Sequence, residues 1–163
     1  MFFFFRIDNV SFLFQINNNI DLTDNLSLRL AYKNDQAIIS YDGEQKIQPL
    51  MKTDKFLANL YWTSNNDMWR FSTTLLVNGR ARLPKMTLSE ESQSPFYPIL
   101  HAQINFVPSD NMDFYIGSEN IFSYSQFDRI QSYENPNLSS FDAGMIWGPM
   151  DIRRTYIGGK ITF

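Results

Sequence analysis

The chain has 163 residues, of which 44% are hydrophobic and 16% aromatic, with 15 phenylalanines. A net charge of -3 argues against the basic surface of a nucleic-acid-binding protein, and the lack of cysteine excludes disulfides, thiol catalysis and cysteine-ligated zinc. No run approaches the roughly 20 apolar residues of a membrane-spanning helix, and the mean hydropathy of -0.29 is mildly polar.

Apolar and polar residues alternate along the chain, which is the pattern of half-exposed β-strands. Two strands joined by a tight turn at 23–25 form the first predicted hairpin, and the stretch from 34 to 54 is predicted to be a loop. The apolar positions of this hairpin are Phe12, Phe14, Ile16, Ile20 and Leu22, then Leu26, Leu28, Leu30 and Tyr32.

Two further hairpins repeat the pattern, with short turns at 64–67 and 108–111 and a long loop from 79 to about 98 between them. A last long segment, 119 to about 151, leads into the final strand. The apolar positions of these strands are Phe56, Ala58, Leu60, Trp62, Trp69, Phe71, Leu75, Val77, Leu100, Ala102, Ile104, Phe106, Phe114 and Ile116. We expect Gly117, Gly158 and Gly159 to allow close packing within the strands.

The final strand, residues 156–163, alternates and ends on Phe163. Ile157, Ile161 and Phe163 share one face, which fits either a transmembrane barrel or the edge of a soluble sheet. Short turns alternate regularly with long loops along the chain. This alternation favours the barrel, since outer-membrane barrels have short periplasmic turns and longer extracellular loops. Trp62 and Trp69 flank one short turn, where an interfacial aromatic girdle would lie.

The sequence therefore predicts an all-β chain, an antiparallel transmembrane barrel segment of about seven up-and-down strands. Because bacterial barrels have an even number of strands, an odd count indicates part of a larger barrel. Residues 1–6 do not read as a signal peptide, since there is no basic leader and Arg6 interrupts a short apolar run. We expect an export signal to lie upstream and the chain to be part of a longer polypeptide.

Several collinear stretches resemble the C-terminal barrel segment of TonB-dependent outer-membrane receptors, in particular the form common in Bacteroidetes. They are residues 30–35 with 41–43, 69–74 with 78–79 and 82–84, 115–121 with Gln126 and Ile130, 141–143, 147–149 with Arg153, and the last strand. The motif residues in the loops are Glu119, Asn120, Gln126, Phe141, Asp142, Trp147, Gly148, Pro149 and Arg153. One departure is Ile152, where the family usually has glycine.

The resemblance implies that residues 1–163 are the C-terminal part of such a receptor, without its plug and first strands. It implies a 22-stranded barrel in the Gram-negative outer membrane. The implied activity is energy-coupled import of a siderophore, haem, vitamin, glycan or peptide, with loops near Tyr41, Arg82 and Tyr133 available for capture. Implied partners are membrane lipid, the TonB complex through the plug, and the barrel-assembly machinery, which would read Ile157, Gly159, Ile161 and Phe163.

No residue pattern indicates an enzyme, a cofactor or a metal site. His101 is the only histidine and is expected to be a polar residue facing the lumen. The remaining charged candidates are expected to be solvated or in rim ion pairs: Glu90, Glu91, Asp128, Arg129, Asp151, Arg153 and Arg154.

The alternatives are a small autonomous β-barrel, either an adhesion or a carrier protein, and a soluble β-sandwich. The membrane interpretations predict one continuous apolar outer belt, and the soluble ones predict that the same residues point into a core. These residues are Phe12, Leu28, Leu60, Phe71, Leu75, Ile104 and Ile116.

Overall fold

The structure, a computed structural model, describes residues 9–41, 44–83, 93–126, 135, 137, 144 and 146–162. These residues form eight β-strands, and none of them lies in a helix that could cross a membrane. The strands are β1 (Asn9–Thr23), β2 (Leu26–Tyr41), β3 (Glu44–Ile47), β4 (Asp54–Thr63), β5 (Trp69–Asn78), β6 (Tyr97–Ser109), β7 (Met112–Glu119) and β8 (Arg154–Ile161).

All eight strands belong to one antiparallel sheet, as the alternating sequence predicts. Seven strands lie side by side in chain order, β1-β2-β4-β5-β6-β7-β8, and the short strand β3 pairs with β2 off this path. Among the described residues, β1 pairs only with β2 and β8 only with β7, so the sheet is open at both edges. Since the path has an odd number of alternating strands, β1 and β8 run in the same direction.

The prediction that residues 34–54 form a loop is wrong. β2 continues to Tyr41, and β3 folds back on it with Ile38 opposite Ile47. β1 follows this extension because its residues 9–13 pair with residues 35–39. The extension is rich in polar residues and carries no apolar alternation along its whole length, which is why the sequence pattern does not reveal it.

The two ends of the sheet differ. At one end, the turn end, β1–β2, β4–β5 and β6–β7 are joined by connections of two to five residues. At the other, the loop end, the connections are residues 79–96 and 120–153 and the segment that contains β3. The predicted asymmetry of short turns and long loops is confirmed.

Buried side chains are concentrated at the loop end. Among the described residues, the buried apolar side chains are Ala81, Tyr97 and Trp147, and the buried polar ones are Ser94, Asn120 and Gln126. The strands themselves are mostly half-buried or exposed on both faces. A soluble sandwich buries the facing sides of two sheets, and the described residues supply one sheet.

Candidate functional site

One face of the sheet is a continuous belt of apolar side chains. The strand register places Leu26, Trp62, Phe71, Ile104, Ile116 and Ile157 side by side across six strands. Further along the strands, Leu30, Ala58, Leu75 and Leu100 form a second row, and Ile16, Tyr32, Phe56, Val77 and Pro98 a third. This surface, called the apolar face below, contains every residue of the predicted belt.

The apolar face is not covered by a second layer of described residues. Phe12 is 60% exposed and Ile116 is 48% exposed, although both belong to an ordered strand ladder. Exposed apolar surface on this scale marks contact with a membrane or with another protein. The single continuous apolar face that the membrane interpretations predict is therefore found, and the described residues do not form the inward core that the soluble interpretations predict.

The opposite face, called the polar face, carries a group of hydrogen-bonded polar side chains at β6, β7 and β8, and elsewhere one apolar row of Ala31, Leu57, Leu76 and Ile99. Tyr156 donates its hydroxyl to Gln103 Oε1 at 2.8 Å, and Gln103 Nε2 donates to Asn105 Oδ1 at 2.8 Å. Asn105 Nδ2 in turn donates to Asp113 Oδ1, again at 2.8 Å. This chain of four side chains runs across β6, β7 and β8 and fixes the orientation of their polar groups.

His101 lies on the polar face, where the sequence places it. Its cross-strand neighbour is Thr74, and its Nδ1 accepts a long hydrogen bond, 3.4 Å, from the backbone N–H of Asn120. Ser72, Thr74, Gln103 and Tyr156 line the same shallow depression. No group of three or more metal-ligating side chains occurs in the described part of the chain.

Two glycine–tyrosine pairs join β7 to β8 on the polar face. Gly117 is opposite Tyr156 and Tyr115 is opposite Gly158. A Cβ on either glycine would clash with the opposing tyrosine ring and its hydroxyl, so each ring covers a bare glycine. Close packing at these glycines is confirmed, and the reciprocal pairs favour one register between the last two strands.

At the loop end, the side chain of Asn120, one of the predicted motif residues, joins separate parts of the β7–β8 connection through hydrogen bonds. Such a side chain is called a tether below. Asn120 has a φ of 47°, a left-handed conformation that asparagine tolerates better than most residues. Its Nδ2 donates to the carbonyls of Tyr124 at 2.8 Å and Asp151 at 2.9 Å, and its Oδ1 accepts from the Tyr124 N–H at 3.1 Å. One side chain thus holds both ends of the long β7–β8 connection.

Gln126 makes a second tether in the same connection. It is fully buried, and its Oε1 accepts hydrogen bonds from the backbone N–H groups of Trp147, at 2.6 Å, and Gly148. The Gln126 N–H donates to the carbonyl of Pro149 at 2.9 Å. The predicted motif residues at 126 and 147–149 therefore lie together, and they bind the two limbs of the connection to each other.

An aromatic cluster of Tyr97, Tyr124 and Trp147 packs beside the residues that these tethers join. Tyr97, at the start of β6, stacks on Tyr124 with ring centroids 4.7 Å apart and an angle of 6° between the planes. Its hydroxyl donates to the carbonyl of Trp147 at 3.2 Å.

Lys52 Nζ lies 4.9 Å from the centroid of the Tyr97 ring. Burial, and secondarily repulsion from Lys55, lowers the pKa of Lys52.

A backbone junction links this cluster to the preceding loop. Ala81 and Ser94 are both buried and exchange hydrogen bonds, with the Ala81 N–H donating to Ser94 Oγ and the Ser94 N–H to the Ala81 carbonyl, each at 2.8 Å. Sequence reasoning did not select Tyr97, Ala81, Ser94 or Lys52. A tyrosine immediately before Pro98 at a strand start is the one sequence signal that points to this region.

The other predicted site residues are placed as follows. Glu119 and Arg154 form an exposed cross-strand ion pair, with Arg154 Nε 3.1 Å from Glu119 Oε2. Arg153 is exposed immediately before β8, and its N–H donates a long hydrogen bond, 3.4 Å, to Ser123 Oγ. Trp62 and Trp69 lie on the apolar face at the turn end, where the girdle is predicted. Ile157, Gly159 and Ile161 share the apolar face on β8.

Several predicted residues lie outside the described residues. They are Phe163, the loop residues Phe141, Asp142 and Tyr133, and the charged residues Glu90, Glu91, Asp128 and Arg129.

No protein-family model matches the chain, and no curated protein matches its sequence. The fold does match solved structures. A single-residue variant of the ferric enterobactin receptor PfeA from Pseudomonas aeruginosa superposes with a TM-score of 0.66 at 15% identity, covering 91% of this chain. A second PfeA variant, in complex with enterobactin, gives 0.64 at 15% identity over 90%. The copper transporter OprC gives 0.63 at 14% over 91%.

These comparisons define the fold class: the chain has the fold of a segment of a TonB-dependent receptor barrel, as the sequence motifs predict. The chain spans 22–23% of the length of the matched structures. The resemblance to the Bacteroidetes form stays a prediction, because similarity of fold at this level of identity does not distinguish lineages.

Proposed function

We propose that residues 1–163 form the C-terminal part of the wall of a TonB-dependent receptor in the Gram-negative outer membrane. The complete receptor imports a scarce nutrient such as a siderophore, haem, vitamin, glycan or peptide by energy-coupled transport. The observation that carries the proposal is the two-faced sheet, with a continuous apolar belt on one side and hydrogen-bonded polar side chains on the other. In a barrel of this kind the apolar face meets lipid and the polar face meets the lumen.

The difference between the two ends supports an orientation. Short turns lie on the periplasmic side of outer-membrane barrels and long loops on the extracellular side. The turn end with Trp62 and Trp69 is then the periplasmic end, and the tethered loop end faces the outside. The tethers at Asn120 and Gln126 give the last loop a fixed base, from which the loop can take part in ligand capture.

Partners follow from the same proposal. Membrane lipid covers the belt, the TonB complex acts through a plug that these residues do not supply, and the barrel-assembly machinery reads Ile157, Gly159, Ile161 and Phe163 on the last strand. The chain is a transport component and not an enzyme. The autonomous small-barrel alternative requires β1 and β8 to close on each other, whereas both are open edges within the described residues.

The proposal is tested by reading the DNA on both sides of the coding region. A continuous frame that encodes further alternating strands, a plug and a signal peptide upstream is the expected result. An in-frame stop followed by a ribosome-binding site directly before the Met1 codon would contradict the proposal and favour the small barrel.

A further inference from the structure

The outer surface of β1 contains one polar side chain in an apolar stretch. On the apolar face of this strand the order is Phe12, Phe14, Ile16, Asn18, Ile20 and Leu22. Asn18 is exposed, and its cross-strand neighbour on β2 is Leu30. If the belt faces lipid, the amide of Asn18 lies near the middle of the hydrocarbon layer, where an amide without hydrogen bonds is strongly disfavoured.

Thr73, Ser118 and Thr155 are polar residues of the apolar face that have hydrogen-bond partners on neighbouring strands. The hydroxyl of Thr73 donates to the carbonyl of His101 at 3.0 Å, and the hydroxyls of Ser118 and Thr155 lie 3.3 Å apart on neighbouring strands. Asn18, by contrast, has no hydrogen-bond partner among the residues that the structure describes. The Ser118–Thr155 pair shows how this sheet satisfies polar groups on its apolar face, by placing two of them opposite each other.

The position of Asn18 on an open edge indicates where its partner lies. The β1 backbone N–H and C=O groups that point away from β2 have no hydrogen-bonded neighbouring strand among the described residues. One further strand beside β1 would therefore supply hydrogen bonds to both the backbone and the Asn18 amide. A second copy of the chain is a poor occupant. Two copies in the same membrane orientation would bring β8 beside β1 in parallel, whereas outer-membrane barrels pair their strands antiparallel.

We propose that the strand flanking β1 in the complete barrel is antiparallel to it and carries a hydroxyl or amide side chain opposite Asn18. The two side chains form a hydrogen-bonded pair on the lipid-facing surface, as Ser118 and Thr155 do at the other side of the sheet. This inference rests on the proposed function, because it requires that the barrel continues beyond β1 and that the apolar face meets lipid.

Site-specific photo-crosslinking in outer membranes tests the neighbour. The complete protein carries p-benzoylphenylalanine in place of Ile16 or Ile20, which leaves Asn18 intact, and crosslinked peptides are mapped by mass spectrometry. We expect two partner peptides, one from β2 and one from an alternating strand outside residues 9–162 that has Ser, Thr, Asn or Gln at the position opposite Asn18. The matched control is the same substitution at Ile116 on the interior strand β7, which should reach only β6, β8 and lipid.

A substitution at Asn18 tests the hydrogen bond. Asn18→Leu should lower the urea midpoint of unfolding in the membrane by roughly 0.5 M, because the partner side chain loses its hydrogen bond in hydrocarbon. Asn18→Thr, which keeps a hydroxyl, should lose less, and Ile20→Leu should leave the midpoint unchanged. An unchanged or higher midpoint for Asn18→Leu would overturn the proposal, since removing an unpaired amide from lipid stabilises the protein.

The two proposals fail in different ways. Crosslinks from Ile16 and Ile20 that reach only β2 and lipid would overturn the inference about Asn18 and leave the membrane-spanning wall intact. An absence of lipid crosslinks at Ile116 in the folded protein would overturn the proposed function itself.

Discussion

The sharpest perturbation of the proposed wall is an arginine placed on either of two adjacent residues of β5. Leu75 lies on the apolar face, between Ala58 and Leu100, and Leu76 lies on the polar face, between Leu57 and Ile99. The two substitutions, Leu75→Arg and Leu76→Arg, are identical in chemistry and nearly identical in position along the strand. Only the face that they occupy differs.

The magnitude follows from the position of Leu75 relative to the girdle. Leu75 is six residues from Trp69 on β5, which is about 20 Å along a strand and about 14 Å in height at a tilt near 45°. An apolar band about 25 Å tall therefore places Leu75 close to the midplane, where arginine costs about 2–4 kcal/mol. Leu76→Arg, on the face that the proposed wall turns towards the lumen, should cost about 1 kcal/mol or less.

The assay is urea titration of the complete protein in phosphatidylcholine vesicles, followed by tryptophan fluorescence. We expect a clear loss of unfolding free energy for Leu75→Arg and a much smaller loss for Leu76→Arg. Leu60→Arg should fall between them, because Leu60 lies only two residues from Trp62 and hence nearer the interface. Equal losses at 75 and 76, or a greater loss at 76, would refute the assignment of the faces.

Three further predictions concern the loop end. Gly79→Ala should destabilise the protein by about 1–3 kcal/mol in the same titration, because a Cβ there would lie 2.8 Å from the backbone oxygen of Asp54; a neutral result would contradict the close approach of these two segments. Gln126→Leu should leave two N–H groups without an acceptor and speed hydrogen exchange at Trp147, whereas unchanged exchange would show that Gln126 is not a tether. Lys52 has a lowered pKa, so the unfolded state binds more protons between that pKa and 10.5, and stability should rise with pH across this window. The variant Lys52→Met should flatten that rise, and a rise of equal size in the variant would exclude Lys52 as its source.

The division of residues between the two faces is predictable from sequence because strand periodicity is two. Once Leu28, Leu60 and Phe71 are assigned to strands, the alternation fixes their common face, and the register brings them into one belt. A shift of one residue in any pairing would move a whole strand of apolar side chains to the polar face. The belt is therefore specified strongly by the sequence alone.

The β2 extension and β3 could not be predicted in this way. Residues 34–41 continue a ladder with β1 beyond the end of the β2–β4 pairing at Asn34 and Asp54, and they do not form a continuous apolar stripe. Hydrophobic periodicity depends on one face being buried in lipid or in a core. A strand that buries neither face along its whole length can therefore form without a regular alternation of apolar and polar residues.

The loop-end tethers were predictable only in part. Asn120, Gln126 and Trp147 were selected through resemblance to a family, whereas their contacts depend on residues brought together from separate parts of the chain. Tyr97 is buried because Trp147 and Tyr124 pack against it from segments far along the chain. No local pattern encodes such an encounter, so sequence alone could not identify Tyr97.

The central claim, that the apolar face meets lipid, is tested most directly by quenching of tryptophan fluorescence with brominated lipids. Three variants of the complete protein each keep one tryptophan, Trp62, Trp69 or Trp147, with every other tryptophan replaced. Trp62 and Trp69 lie exposed on the apolar face, and Trp147 is buried in the loop-end cluster. The account predicts strong quenching of the first two, greatest with bromines near the headgroup, and little quenching of Trp147. Folded protein in which Trp62 and Trp69 are quenched no more than Trp147 would contradict it.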